Sequence, residues 1–437
     1  MNYLCKLAGT LCVSLLSGGV CAYSQTVVSL EDLFESAEHN SLQLRPDISA
    51  QAEAEQEISV ARSALLPEIE ASLSASYIGD GFTTRRNFTD YQRAPIPHLG
   101  TGVSVGVTQP IYTGGALTTS IEMARLKSLA SRQSTELSRD NLRLELTRYY
   151  FDLYKHHNLR GVVESSIASA EEVLAHIKAR YDQGAALRND ITRYELLIAD
   201  LNLELVRIDN TIDILNYNLV RLAGLPEGLR IAPDQRLLSQ ALPTEGEQWW
   251  QQEADLNSPS LKLARSGAAI SRKAESMVLS ERRPKIGLQA GWTLDGPILV
   301  EVPPINRNLS YWYVGVGVKY NLSSLYKNNR SLKRSRLATI KADDELRAAS
   351  ERVNLDVRSA HIQYLEAFEV LKSREKSVEL ADRNYDNIST RYDEGMALVT
   401  EMLDAADSRL RARTNLVNAR IDIIYNYYKL LFASGKI

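Results

Sequence analysis

Two sets of side chains in this 437-residue chain are of types that do chemistry. The first is the six histidines, among them His156-His157, His176 and His361, which invite a metal or general-base reading. None stands in a His-x-x-x-His pair or among carboxylates at ligand spacing, and no Gly-x-Ser-x-Gly or phosphate loop occurs. His156 and His157 are adjacent, so on a helix they face different ways. The sequence therefore offers no catalytic residue, no metal site and no cofactor site, and an enzyme is not expected. The second set is acidic. Glu401, Asp404 and Asp407 recur at i, i+3, i+6, which puts them near one face of a helix. Carboxylates gathered on one face attract cations, and when crowded they raise one another's pKa. The same spacing also describes a plain solvated helix face. The elements that carry the triplet must decide between the two.

Those elements come in two copies. Arg180-Tyr181-Asp182-Gln183-Gly184-Ala185-Ala186-Leu187 returns as Arg391-Tyr392-Asp393-Glu394-Gly395-Met396-Ala397-Leu398, an offset of 211 residues. A long helical pattern precedes each copy and another follows it, so each reads as the tip of a helical hairpin broken at its glycine. The match continues outside the tip. Val103, Val105, Gly106 and Val107 return as Val314, Val316, Gly317 and Val318, Arg125-Leu126 as Arg336-Leu337, and Gly224 as Gly435. Leu142, Leu146, Tyr149 and Leu153 return as Val353, Val357, Ala360 and Tyr364, one stripe of a helix. Pro67-Glu68-Ile69 and Pro284-Lys285-Ile286 match at an offset of 217, so the loop between the strands is six residues longer in the first copy.

Composition bounds the class. Hydrophobic residues make up 44% and charged residues 24%, which is enough to fold, and a net charge of −3 argues against nucleic acid as a partner. Residues 1–22 read as a signal peptide: Lys6, a short apolar run from Leu7 to Val20, and a small-residue cleavage site at Val20-Cys21-Ala22. All three cysteines (Cys5, Cys12, Cys21) lie there, so the mature chain is expected to have no thiol chemistry. A lipid on Cys21 is the alternative, although Val20 stands where a lipoprotein signal wants a smaller residue. No later stretch has 18 consecutive apolar residues, so no transmembrane helix is expected.

In chain order, Ser29 caps a first helix that breaks near Arg45-Pro46 and ends at Pro67. Ile69, Ala71, Leu73, Ala75 and Tyr77 then alternate with Glu70, Ser72, Ser74 and Ser76, which reads as a strand over 68–78 with two unlike faces. A loop at 79–100 leads to a second strand at 102–112 and a helical hairpin over 116–224, its first helix about 100 Å long. A helix of that length needs a neighbour along its length, as in a coiled coil. Residues 225–258 read as an irregular connection. The second copy, 259–437, has strands at 284–294 and 310–322 and a hairpin over 328–433. The fold class expected is mainly α, with four strands per chain. The strand alternation suits a membrane β-barrel with Tyr77, Tyr112, Trp292 and Tyr311-Trp312-Tyr313 at its interfaces. Four strands leave two open edges, which a bilayer forbids, so several chains would have to share one barrel. Two soluble hairpins capping a helical bundle are the alternative.

The signal peptide, the duplicated helix–strand–loop–strand–hairpin order and the tip motif together resemble the TolC family of outer-membrane efflux proteins, over roughly 29–435. The resemblance implies a homotrimer in the cell outer membrane, with twelve strands in one barrel and a helical tunnel in the periplasm. It implies partners: outer-membrane lipid, a periplasmic adaptor that meets the tips at Gly184 and Gly395, and an inner-membrane pump of RND, ABC or MFS type. It implies a pore gate at Glu401 and Asp404, six carboxylates in a trimer, with Asp407 one turn further on. It implies a tip lock between Tyr392 and Asp190. The arginine of that lock falls at Ala397 and is absent, with Arg188 and Arg193 as nearby substitutes, and Tyr181 is expected only to pack. The function expected is the exit duct of a tripartite efflux or type I secretion system. A periplasmic coiled-coil rod and a passive uptake porin are the competing functions.

Overall fold

Helix ends in this chain are written in proline, glycine and short polar residues. The computed structural model describes residues 25–239, 242–301 and 304–437; the signal peptide, its cysteines and the question of Cys21 lie outside the described residues. After strand β1 (Gln25–Val28), Ser29 caps α1 (Leu30–Asn40). Its hydroxyl accepts from the Asp32 N–H at 3.1 Å, and the Asp32 carboxylate accepts from the Ser29 N–H at 3.1 Å. The Ser29 hydroxyl, which donates to the Asp32 carboxylate at 2.7 Å, and then the Ser29 N–H hold that carboxyl below the usual range. The helix breaks before Pro46, which sits in the first turn of α2 (Arg45–Ser63).

The first copy continues through β2 (Glu68–Tyr77), β3 (Gly81–Thr83), β4 (Gln92–Ala94), β5 (Leu99–Tyr112), α3 (Ala116–Asp182) and α4 (Arg188–Ala223). Residues 79–100, expected as a loop, hold the short β3–β4 hairpin, closed by the Asp80–Arg93 ion pair and the Phe82–Tyr91 ring contact. Residues 225–258, expected as irregular, hold β6 (Arg230–Pro233), a 3-10 turn at Gln235–Ser239 and α5 (Glu247–Asn257). Gly246 caps α5, and its length of 11 residues equals that of α1. Asn40-Ser41 at the end of α1 and Asn257-Ser258 at the end of α5 stand 217 apart, the offset of Pro67 and Pro284. So α5 is the second copy's α1. Then follow α6 (Pro259–Ser280), β7 (Lys285–Gly296), β8 (Leu309–Lys319), α7 (Ser324–Lys327), α8 (Asn329–Asp393) and α9 (Val399–Ala433).

The chain divides into two compact units. One takes the residues up to Leu42, Leu142–Pro243 and Tyr364–Tyr428. Its core has a seven-residue beat: Val163, Ala170 and Ile177 on α3, Tyr194, Leu201, Ile208 and Leu215 on α4, and Ala405, Ala412 and Ala419 on α9 are buried. A strict seven-residue repeat on 3.6-residue helices is the signature of a left-handed supercoil. Nearer the chain start, β1 pairs in parallel with β6. The buried Tyr150 hydroxyl pins them, donating to the Val28 carbonyl at 2.9 Å and accepting from the Asp234 N–H at 2.7 Å. Of the expected stripe, Leu142, Leu146 and Leu153 are buried, whereas Tyr149 is half-buried beneath the Arg148 guanidinium.

The other unit takes Gln43–Asn141, Thr244–Gln363 and Lys429–Ile437. Its centre is an antiparallel sheet in the order β2-β5-β7-β8, with β2 and β8 as edges. The register lines apolar residues in rows across one face: Ile69, Val107, Ala290, Val314 and, two residues on, Ala71, Val105, Trp292, Trp312. Ile69, Trp312 and Val314 on this face are exposed. The opposite face carries small and polar residues, with a 2.8 Å Ser72–Ser104 hydroxyl bond and the Tyr313 ring lying over Gly291. No described helix is long and apolar enough to cross a membrane.

Candidate functional site

The site is built where α3 turns into α4 and α8 into α9. Gly184 and Gly395 have φ of +75° and +76°, which end the incoming helices in the left-handed conformation that glycine alone adopts cheaply. The Gly184 N–H donates to the Tyr181 carbonyl at 2.8 Å and the Ala185 N–H to that of Arg180 at 2.8 Å; Gly395 and Met396 repeat the pair to Tyr392 and Arg391 at 3.0 and 2.7 Å. The outgoing helices begin alike. The Asp190 carboxylate accepts from the Leu187 N–H at 3.2 Å, and the Glu401 carboxylate from the Leu398 N–H at 2.9 Å.

The core beneath the tips joins both hairpins: Ile177 from α3, Ile191 and Tyr194 from α4, Tyr392 from α8, and Val399 and Met402 from α9. Tyr392 is 8% exposed, and burial, with Asp190 adding to it, pushes its phenol upward in pKa. Its repeat partner Tyr181, expected to pack, is instead 40% exposed. Asp190 is half-buried near Tyr392, and no hydrogen bond joins the two among the described residues; one carboxylate oxygen accepts from the Leu187 N–H. Arg188 and Arg193 are exposed. The arginine that does cross between the hairpins is Arg180. Its Nη1 donates to the Tyr392 carbonyl at 2.7 Å, and its guanidinium lies 5.2 Å from the centre of the Tyr392 ring. Its place in the repeated tip motif was the only signal that pointed to it.

On α9, Glu401, Asp404 and Asp407 lie away from the buried Met402 and Ala405, and all three are exposed. Their circumstances differ. Glu401 caps its helix, Asp407 pairs with Arg411 at 2.6 Å, and Asp404 has no ion pair among the described residues. At the same places in the first hairpin stand Asp190, Arg193 and Leu196, so only the second hairpin carries an all-acidic face. Behind Tyr392 a cavity of about 300 Å³ is lined by Glu172, His176, Tyr385, Ser389 and Arg409, among others. No group of three or more His, Cys, Asp or Glu is placed to hold a metal among the described residues.

The comparisons with known proteins agree on one architecture. The family "Outer membrane efflux protein" matches residues 33–225 and again 250–436, two blocks that begin 217 apart, in α1 and in α5. The outer membrane protein TolC of Vibrio cholerae serotype O1 is 22% identical over 409 residues, covering 93% of this chain and 90% of that protein. The outer membrane efflux protein BepC of Brucella suis biovar 1 is 24% identical over 389 residues, covering 87% and 80%. Among solved structures, the outer membrane protein VceC of Vibrio cholerae superposes with a TM-score of 0.77 at 15% identity, over 93% of this chain and 96% of that one, a likeness of fold. Matched along both of its repeats, the chain belongs to the outer membrane efflux protein family, channel proteins of the cell outer membrane with a helical tunnel in the periplasm.

Proposed function

We propose that the chain is the exit duct of a tripartite efflux or type I secretion system, working as a homotrimer. The observation that carries this reading is the four-stranded sheet. It has an exposed apolar face and, in β2 and β8, two strands with a sheet neighbour on one side only among the described residues. In hydrocarbon every backbone group needs a partner, so those edges require neighbouring chains, and three copies supply twelve strands. The tips around Gly184 and Gly395 meet a periplasmic adaptor, and an inner-membrane pump of RND, ABC or MFS type supplies the energy. Glu401, Asp404 and Asp407 form the acidic mouth of the closed duct, while Tyr392 and Asp190 belong to the contacts that keep it shut. The chemistry is passage, not catalysis.

Single-channel recording in planar bilayers tests this reading. Wild-type trimer should show a small, cation-selective conductance that divalent or trivalent cations block, and the Glu401→Ala/Asp404→Ala variant should lose both selectivity and block. Failure to recover heat-modifiable trimers from outer-membrane fractions would sink the shared barrel.

A further inference from the structure

We infer that Arg180 is the strap that ties the second hairpin's tip to the first, taking the part left vacant at Ala397. The inference rests on the gated-duct reading above. Each tip carries an arginine in the last turn of its incoming helix, where a cation is favoured by the unpaired carbonyls. By sequence the two are equivalent, yet they do different things. Arg391 bends over its own tip and donates from Nη2 to the Met396 carbonyl at 3.3 Å. Arg180 leaves its own tip and donates to the Tyr392 carbonyl at 2.7 Å.

The target is well chosen. The Tyr392 carbonyl already accepts the Gly395 N–H at 3.0 Å, so Arg180 takes its second lone pair. The guanidinium also faces the Tyr392 ring, and its Nη2 passes 4.0 Å from where a side chain on residue 395 would begin. One planar group therefore engages both the carbonyl and the ring of Tyr392, beside the glycine turn of the other hairpin. A lysine cannot do all of this, because an ammonium offers no flat face and no fork. Each tip closes its own cap with its own backbone bonds, so the crossing is not needed to form either hairpin. It is a contact between hairpins, placed where they must part for the duct to open.

The test uses the full-length trimer in planar bilayers, comparing Arg180→Ala, Arg180→Lys and Arg391→Ala. Losing a hydrogen bond to a charged group should raise open-state occupancy about tenfold in Arg180→Ala. Arg180→Lys should recover part of the closure, and Arg391→Ala should behave as wild type. Equal opening by Arg180→Ala and Arg391→Ala would overturn the strap, since loosening of either tip would then suffice. Wild-type behaviour of Arg180→Ala, with cation block still abolished by Glu401→Ala/Asp404→Ala, would overturn the strap and leave the gated duct standing. A wild type already fully open, unchanged by every substitution, would remove both. If Arg180→Ala yields no trimer, Arg180→Gln and Arg180→Lys carry the same comparison.

Discussion

The carboxylates of Asp190 and Glu401 do the same work in successive hairpins: each accepts the backbone N–H three residues before it and so closes the first turn of its helix. They stand 211 residues apart, at one position of the repeat. Removing Glu401 therefore changes two things at once, a helix start and a charge. Glu401→Ala should cost roughly 0.3–1 kcal/mol of local helix stability, and Glu401→Gln much less, because an amide oxygen still accepts. Hydrogen exchange at the amides of the first α9 turn separates the variants; equal protection in both would mean that the bond to Leu398 is not holding the helix start.

In the proposed duct, Asp404 should dominate cation binding at the acidic mouth. Glu401 is engaged with the backbone and Asp407 with Arg411, whereas Asp404 has no compensating charge among the described residues. Asp404→Asn should weaken block by a trivalent cation by about tenfold or more, the loss of roughly 1.4 kcal/mol or more of attraction. Asp407→Asn should leave block near the wild-type level. A larger effect of Asp407 than of Asp404 would show that the Arg411 pair opens in the trimer.

At the tips, Gly184→Ala and Gly395→Ala should each destabilise by about 1–2 kcal/mol. A side chain beginning at 184 would meet nothing within 4 Å, and at 395 only the Arg180 guanidinium at 4.0 Å, so the cost comes from the positive φ and not from crowding. Limited proteolysis should detect faster cutting at the substituted tip with the other tip unchanged.

Much of this fold was legible because long helices and alternating strands write a period into the sequence, and a duplication writes it twice. The hairpins and the strand pairs follow from those periods alone. Helix α5 was hidden because it lies at the 217-residue offset, not at 211, behind the proline-containing stretch that ends at Pro243. Strands β1 and β6 are four residues each and pair across some two hundred residues of chain, so neither carries a local signal. The site was harder to read. Tyr181 and Tyr392, or Arg180 and Arg391, are indistinguishable in type and context, and only the packing of one hairpin on the other makes Tyr392 the buried member and Arg180 the one that crosses.

Alkaline pH should loosen the helical unit that holds the tips. Tyr150, Tyr154, Tyr194, Tyr385, Tyr392, Tyr425 and Tyr428 are all pushed up in pKa, each chiefly by burial, Tyr150 to about 12. A phenol with a raised folded-state pKa binds its proton more tightly when folded than when unfolded. Its contribution is complete below about pH 10, the unfolded value, and is lost as pH rises through the folded one. Ultraviolet titration should therefore show a late group of tyrosines whose ionisation coincides with loss of helical circular dichroism, between about pH 10 and 12. Tyr392→Phe should move that transition upward, because a phenylalanine ring has no proton to lose and the Arg180 bond runs to the backbone and is kept. A downward shift would mean that the Tyr392 hydroxyl makes a contact in the trimer that outweighs its alkaline liability.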